Sequence, residues 1–128
     1  MRIYLDVCSL NRPLDDLSQE RVRLEAQAVV RILELIKAGV HELVDSEALR
    51  LETKKTSDSA KREYVMDVLA LAVEYHGVHE RIHTRSRELE AMGFKALDAL
   101  HVACAESAGA FAFLTTDDRL LRRAKKVQ

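Results

Sequence analysis

Tryptophan is absent from this chain, proline occurs once, glycine four times, and aromatic residues make up 5% of it. An interior of stacked rings is therefore excluded, and Tyr4, Tyr64 and Tyr75, each on an apolar face, read as core residues rather than base-stacking platforms. So little glycine and proline leaves no linker, repeat or low-complexity tract. The two cysteines, Cys8 and Cys104, lack metal-ligand spacing and are too few for a disulfide framework. They read as small core residues in a reducing compartment, with a bridge between them left open. No uncharged run of membrane-spanning length exists, and Asp6 interrupts the N-terminus before a signal-peptide core forms. The net charge of −1 gives no global attraction to nucleic acid, so any basic surface must be local. What is present, 48% apolar and 32% charged residues in 128, suits one cytoplasmic globular domain spanning residues 1–128.

The most informative stretch is Ala96 to Ala105, Ala-Leu-Asp-Ala-Leu-His-Val-Ala-Cys-Ala. Its short apolar residues predict a helix buried on most of its circumference. Asp98 lies within it, with His101 one turn later on the same side. An ionised carboxylate in such a helix is costly without a cation, a ligand or good donors. A lone core Asp is ordinarily bonded to a backbone amide or an arginine; the other acids of the chain change that expectation.

Residues 2–6 read as a short strand ending in Asp6, and Val7 to Leu17, with Asn11, Pro13 and the pair Asp15-Asp16, as a loop. Ser18 is a candidate cap for a helix whose period runs from Val22 to Ile36, with Gly39 as its stop. Residues 41–45 predict a second strand, and Ser46 caps the helix that carries Glu47 and Glu52. After the polar patch from Lys54 to Ser59, Tyr64, Val68, Leu71, Ala72 and Tyr75 form another helical stripe, closed by Gly77. Val78 to His83 is a candidate third strand, and Thr84 caps a short helix to Met92. Gly93 separates that helix from the buried one over Phe94–Ser107. Phe111 to Thr115 reads as a buried strand, Thr116-Asp117-Asp118 as a turn, and the remainder as a basic helix.

Strands alternating with helices predict an α/β fold with a mostly parallel sheet covered on both faces. Ligands in such sheets sit beyond the carboxyl ends of the strands. Asp6, the segment from Asp45 to Glu52, and Asp117 all fall on that edge, and Asp98 can point to it. Carboxylates gathered in one cleft raise one another's pKa unless a cation accompanies them. Their oxygen-only donor set suits a hard divalent ion and argues against zinc or a redox centre. Such an ion activates water and stabilises the transition state of a phosphodiester.

Taken together, Tyr4-Leu5-Asp6, Ser46 with Glu52 six residues on, Ala96-Leu97-Asp98-Ala99, and Leu114-Thr115-Thr116-Asp117 resemble a PIN domain in order and spacing. More narrowly, the chain is similar to the VapC-type toxins of type II toxin–antitoxin pairs. The resemblance implies a three-layer α/β/α fold with a mostly parallel sheet of four to five strands. It implies an endoribonuclease dependent on Mg2+ or Mn2+, often a homodimer, neutralised by a small antitoxin protein. Asp6, Glu52, Asp98 and Asp117 match the acidic site, with Asp6 and Asp98 as the principal metal ligands, joined by Asp117, and with Glu52 and Asp117 binding metal directly or through water and orienting the attacking hydroxide. Glu47 and Asp118 are alternates to Glu52 and Asp117, and a non-catalytic PIN-like binding module is the alternative function. Two departures stand out. Val7-Cys8 follow Asp6 where many members carry a hydroxyl or amide, leaving Ser9 or Asn11 to supply that contact. Relatives also usually continue into a final strand beyond the position of Gln128. A phosphatase on a similar sheet is disfavoured, because Cys8 breaks the Asp-x-Asp pattern.

Arg119, Arg122, Arg123, Lys125 and Lys126 form a basic run, read either as a solvated helix face or as a phosphate-backbone contact for RNA. Arg12 beside Asn11 is a further candidate RNA contact. The five histidines lack ligand spacing; His101, a turn from Asp98, is read as a satisfied core group that can also bond Asp98 or touch substrate.

Overall fold

The computed structural model describes residues 1–127, with side chains through Ala124. Four short strands, β1 (Arg2–Leu5), β2 (Glu42–Ser46), β3 (Glu74–His76) and β4 (Ala112–Leu114), form one sheet in the order β3-β2-β1-β4. Every neighbouring pair is parallel: Ile3 registers with Leu43 on one side and Ala112 on the other, and Asp45 with Tyr75. Between successive strands run the helices α1 (Val7–Asn11), α2 (Glu20–Lys37), α3 (Glu47–Lys55), α4 (Ser59–Leu69), α5 (Glu80–Ala91) and α6 (Ala96–Ser107), with α7 (Asp118–Val127) after β4. This is the α/β/α sandwich around a parallel sheet that the alternation of elements predicts, with four strands among the described residues.

The chain builds from β1 outward through β2 to β3, then returns to the other side of β1 as β4. The direction of winding reverses between β1 and β4, and such a reversal opens a crevice at the carboxyl ends of the two strands. Tyr4, Leu5, Leu10, Leu43, Val44, Ala48, Leu49, Leu89, Ala99 and Cys104 fill the core, all fully buried and, except for Tyr4 and Cys104, aliphatic. Ala99, Ala103 and Ala105 are buried along α6, whose small residues let it pack closely against α5 and α3. Gly93, at φ +106°, takes the left-handed conformation that turns the chain between α5 and α6, a region that disfavours a β-carbon.

Several local expectations are corrected. The segment after Asp6 is helix rather than loop through Asn11, followed by a 3-10 turn over Arg12–Leu14 that tolerates Pro13 at its start, where no backbone donor is needed. Ser18 does not cap α2; Gln19 occupies that position without a side-chain hydrogen bond. The third strand is Glu74–His76 rather than Val78–His83, and α5 starts at Glu80, which puts Thr84 inside it. Tyr75, on the outermost strand, is 53% exposed, so it is not core. Cys8 is exposed and Cys104 buried, and both are free thiols. Among the described residues no helix is long and apolar enough to cross a membrane. A strand beyond Gln128 and the side chains of Lys125 and Lys126 lie outside what the structure describes.

Candidate active site

β1 delivers Asp6 to the crevice, where it becomes the N-cap of α1. Its Oδ1 accepts from the Ser9 backbone N–H at 2.9 Å, and its Oδ2 accepts from the Thr115 hydroxyl on the far side of the crevice. The carboxylate is thus fixed both by its own helix and by the end of β4. Burial pushes its pKa up, and these hydrogen bonds partly oppose the rise. The polar contact missing at Val7-Cys8 therefore comes from Ser9 and Thr115, and the Ser9 hydroxyl also donates to the Leu114 carbonyl at 3.3 Å. Asn11 makes no such contact with Asp6.

The same Thr115 oxygen accepts from the Asp117 N–H at 3.0 Å, and Asp117 Oδ1 in turn accepts from the Arg119 and Leu120 N–H groups at 2.9 and 3.4 Å. One hydroxyl therefore ties Asp6 to Asp117, and Asp117 caps α7 with one oxygen while the other makes no hydrogen bond among the described residues. Asp98 stands in the first turn of α6, where the helix dipole favours an anion. It is half-buried and has no hydrogen-bond partner among the described residues. Its pKa is raised by desolvation first, then by Asp117, with Glu52 and Asp6 adding to the rise and His101 opposing it. Each of the other three acids thus acts on Asp98. The Cys8 thiol is pushed up to about 11 by desolvation and by Asp6, Glu52 and Asp117, and so stays protonated at neutral pH.

Glu52 reaches the crevice from α3, held by His101. The imidazole Nε2 lies 3.0 Å from Glu52 Oε2, Nδ1 lies 2.7 Å from the Tyr4 hydroxyl, and that hydroxyl lies 2.7 Å from Ser46 Oγ. Ser46 Oγ also accepts from the Leu49 N–H at 3.1 Å, capping α3. With Nε2–H donating to Glu52, the Nδ1 of a neutral imidazole accepts from the Tyr4 hydroxyl, and Ser46 donates to the Tyr4 oxygen. Burial raises the Tyr4 pKa well above its ordinary value, which keeps its proton in this chain. Sequence spacing places His101 near Asp98; the structure bonds it to Glu52 and Tyr4 instead. Thr115 and Tyr4 escaped the sequence reading as site-supporting residues, although both flank acids in the motifs quoted above.

The alternates separate from the site. Glu47 acts electrostatically on Tyr75 and Cys104, whereas the acids that raise Asp98 are Asp117, Glu52 and Asp6. Asp118 pairs with Arg21 at 2.7 Å on the surface, tying α7 to α2. Asp45 lies within β2, buried, with Arg50 Nε at 2.8 Å, and is a structural acid. Arg119 and Arg122 are exposed on α7. Arg12 is engaged with Asp15 at 2.9 Å and faces Glu25 at 3.4 Å.

Three carboxylates raise the proton affinity of Asp98, which has no hydrogen-bond partner among the described residues, and together the four form an oxygen-only donor set suited to a hard dication. They are spread rather than closed: among the described residues no three such side chains already form a metal-holding group. No curated protein matches the chain significantly. The family model described as "PIN domain" matches residues 3–126, nearly the whole chain, which therefore belongs to the PIN domain family, whose members are typically nucleases.

Proposed function

We propose that this protein is a divalent-metal-dependent endoribonuclease, the toxin half of a cytoplasmic toxin–antitoxin pair. The observation that supports it is the convergence of Asp6, Glu52, Asp98 and Asp117 at the β1/β4 crevice, seen in the field that the other three acids exert on Asp98. Asp6, Asp98 and Asp117 would hold Mg2+ or Mn2+, which PIN nucleases generally use. When bound, such an ion neutralises the phosphodiester and lowers the pKa of the water it holds.

The protein's own groups do the positioning. Ser9 and Thr115 fix Asp6, so its carboxylate is oriented before substrate arrives. Thr115 and the first turn of α7 fix Asp117. His101 occupies one oxygen of Glu52 and leaves the other to accept a proton from the attacking water. Hydrolysis then proceeds without a covalent enzyme intermediate, since Cys8 is held as a thiol. The exposed Arg119 and Arg122 beside Asp117 support a backbone contact with RNA. The exposed apolar residues Leu14, Leu17, Leu24 and Val30, on and before α2, support a face covered by a second copy or by the antitoxin.

The decisive experiment is cleavage of an end-labelled single-stranded RNA with Mn2+, comparing wild type with Asp98→Asn. The nuclease reading requires that wild type cuts, that EDTA stops it and that the folded variant is inactive. Equal cutting by both proteins, or RNA binding with no cutting of any RNA, overturns it.

A further inference from the structure

Beside the four acids, and sharing Asp117 with them, a cleft of about 320 Å3 opens between the 3-10 turn, α4 and the turn before α7. Asp15 organises the cations in its wall. Asp15 Oδ2 accepts from Arg12 Nη1 at 2.9 Å and Asp15 Oδ1 accepts from Lys61 Nζ at 2.7 Å, which holds two cations side by side. Two more polar groups in the wall have no partner among the described residues. Asn11 is only 8% exposed, and its Oδ1 is buried without a hydrogen bond, as is the Thr116 Oγ1. A buried amide and hydroxyl left unpaired are costly, and each such group calls for a partner that is not a protein atom.

The charges in the wall decide what that partner is. Arg12 and Lys61 are balanced by Asp15 and Asp117, so the cleft offers a free phosphate little net attraction. It offers instead an alternating set of donors and acceptors around a neutral ligand. Guanine fits that pattern among the bases: O6 and N7 accept along one edge, while N1–H and N2–H2 donate along the next. The remaining protons of Arg12 and Lys61 match the first edge. The unpaired Asn11 Oδ1 and the unused lone pairs of Asp15 match the second. Bases of single-stranded RNA are exposed on both edges and are read in this way.

We infer that this cleft is a base-reading subsite that seats a guanine next to the scissile phosphate and so sets where the RNA is cut. The inference rests on the nuclease reading for the position of the cut, but not for the occupancy of the cleft. Asn11, Arg12, Asp15 and Lys61 are specificity residues here, distinct from the acids that act on the phosphodiester.

The test uses short oligouridylates carrying a single guanosine, adenosine or cytidine at one position, cut by the full chain with Mn2+. Wild type is expected to cut beside guanosine about tenfold faster than beside the other bases, the worth of one or two hydrogen bonds. Asn11→Ala and Lys61→Met should collapse that ratio towards unity, and Lys61→Arg should retain most of it. Equal rates beside all bases in wild type, a preference for another base, or a guanine preference that survives both variants would overturn the assignment. If wild type cuts none of these RNAs, the nuclease reading fails separately, and anisotropy of the same labelled oligonucleotides in EDTA decides the subsite. Tighter binding of the guanosine-bearing strand that depends on Asn11 keeps it; equal binding of all strands sinks it.

Discussion

His101 Nε2 stands 3.0 Å from Glu52 Oε2, so the most buried polar side chain of α6 orients an acid carried by α3. The bond has a long tail into the core through Tyr4 and Ser46. Removing the imidazole frees Glu52 and takes from the Tyr4 hydroxyl one of its two partners, leaving only Ser46. His101→Ala should therefore lose about 2–4 kcal/mol of stability, from one cavity and one lost buried hydrogen bond. His101→Gln should recover part of this and still cut RNA slowly, because its amide can donate to Glu52. Urea unfolding and Mn2+-dependent cleavage measured on both variants test the point. Wild-type cleavage by a folded His101→Ala protein would show that Glu52 needs no such hold.

Thr115 bonds Asp6 and the Asp117 backbone with the same oxygen. Thr115→Val keeps the shape and deletes both bonds. The hydrogen bond lowers the Asp6 pKa, so its loss lets burial raise that pKa further. If Asp6 must be ionised for activity, the acid limb of the pH–rate profile moves to higher pH in the variant, while Thr115→Ser stays near wild type. Coincident profiles for all three proteins would refute the role given to this hydroxyl.

Stability should carry the same signature in the absence of metal. Asp6 and Asp98 both bind a proton more tightly in the folded chain than a free carboxylate does. Their contribution is therefore complete below the unfolded pKa of about 4 and is lost as pH rises through the raised folded values. Asp98→Asn removes one of these charges without changing its shape. In EDTA, its thermal midpoint should gain on wild type as pH increases from about 4.5 to 8, and Mn2+ should stabilise wild type more than the variant. A midpoint difference that does not change with pH would contradict the mutual repulsion of the acids.

Not every acid at the sheet edge belongs to the site, and Asp45 shows the difference. It is buried in β2 and neutralised by Arg50, about a third of which remains exposed. Arg50→Met strands a buried carboxylate and should cost about 3 kcal/mol, the low end of the range for a broken buried pair because water still reaches the arginine side. Asp45→Asn with Arg50→Met should cost much less than the two single losses added together. A double-mutant cycle by chemical denaturation measures the coupling, and additive losses would mean that the pair contributes nothing.

Much of this was legible from residue order, because local patterns carry it. Short apolar runs marked β1, β2 and β4, and the unbroken apolar stretch around Asp98 marked α6, with helix starting at Ala96 rather than Phe94. β3 was not legible: it has three residues on the sheet edge, its Tyr75 faces solvent, and its apolar positions fall in phase with the α4 stripe. The 7–11 helix was hidden behind Asn11 and Pro13, though Asp6 is a good cap for it. The four acids were legible as candidates by their motifs. Thr115, Tyr4 and the Lys61 held by Asp15 were not, because each acts through a partner 42 or more residues away in sequence. Spacing along a chain is silent about such contacts.

Asp117 and Asp118 are neighbours in sequence with opposite surroundings, which makes them the sharpest test of the site. Asp117 donates its backbone N–H to Thr115, and its carboxylate raises the proton affinity of Asp98. Asp118 points out to Arg21, whose charge lowers its pKa, and both groups are well exposed. An exposed pair of this kind is screened by water and salt, so Asp118→Asn should leave cleavage and the unfolding midpoint unchanged. Asp117→Asn should abolish Mn2+-dependent cleavage and relieve part of the repulsion on Asp98, lowering the Asp98 pKa towards that of a free carboxylate. Carboxylate titration followed by carbon NMR in EDTA reads the second effect without any catalysis. If Asp118→Asn were the inactive variant and Asp117→Asn the silent one, the crevice between β1 and β4 would not be where the reaction occurs.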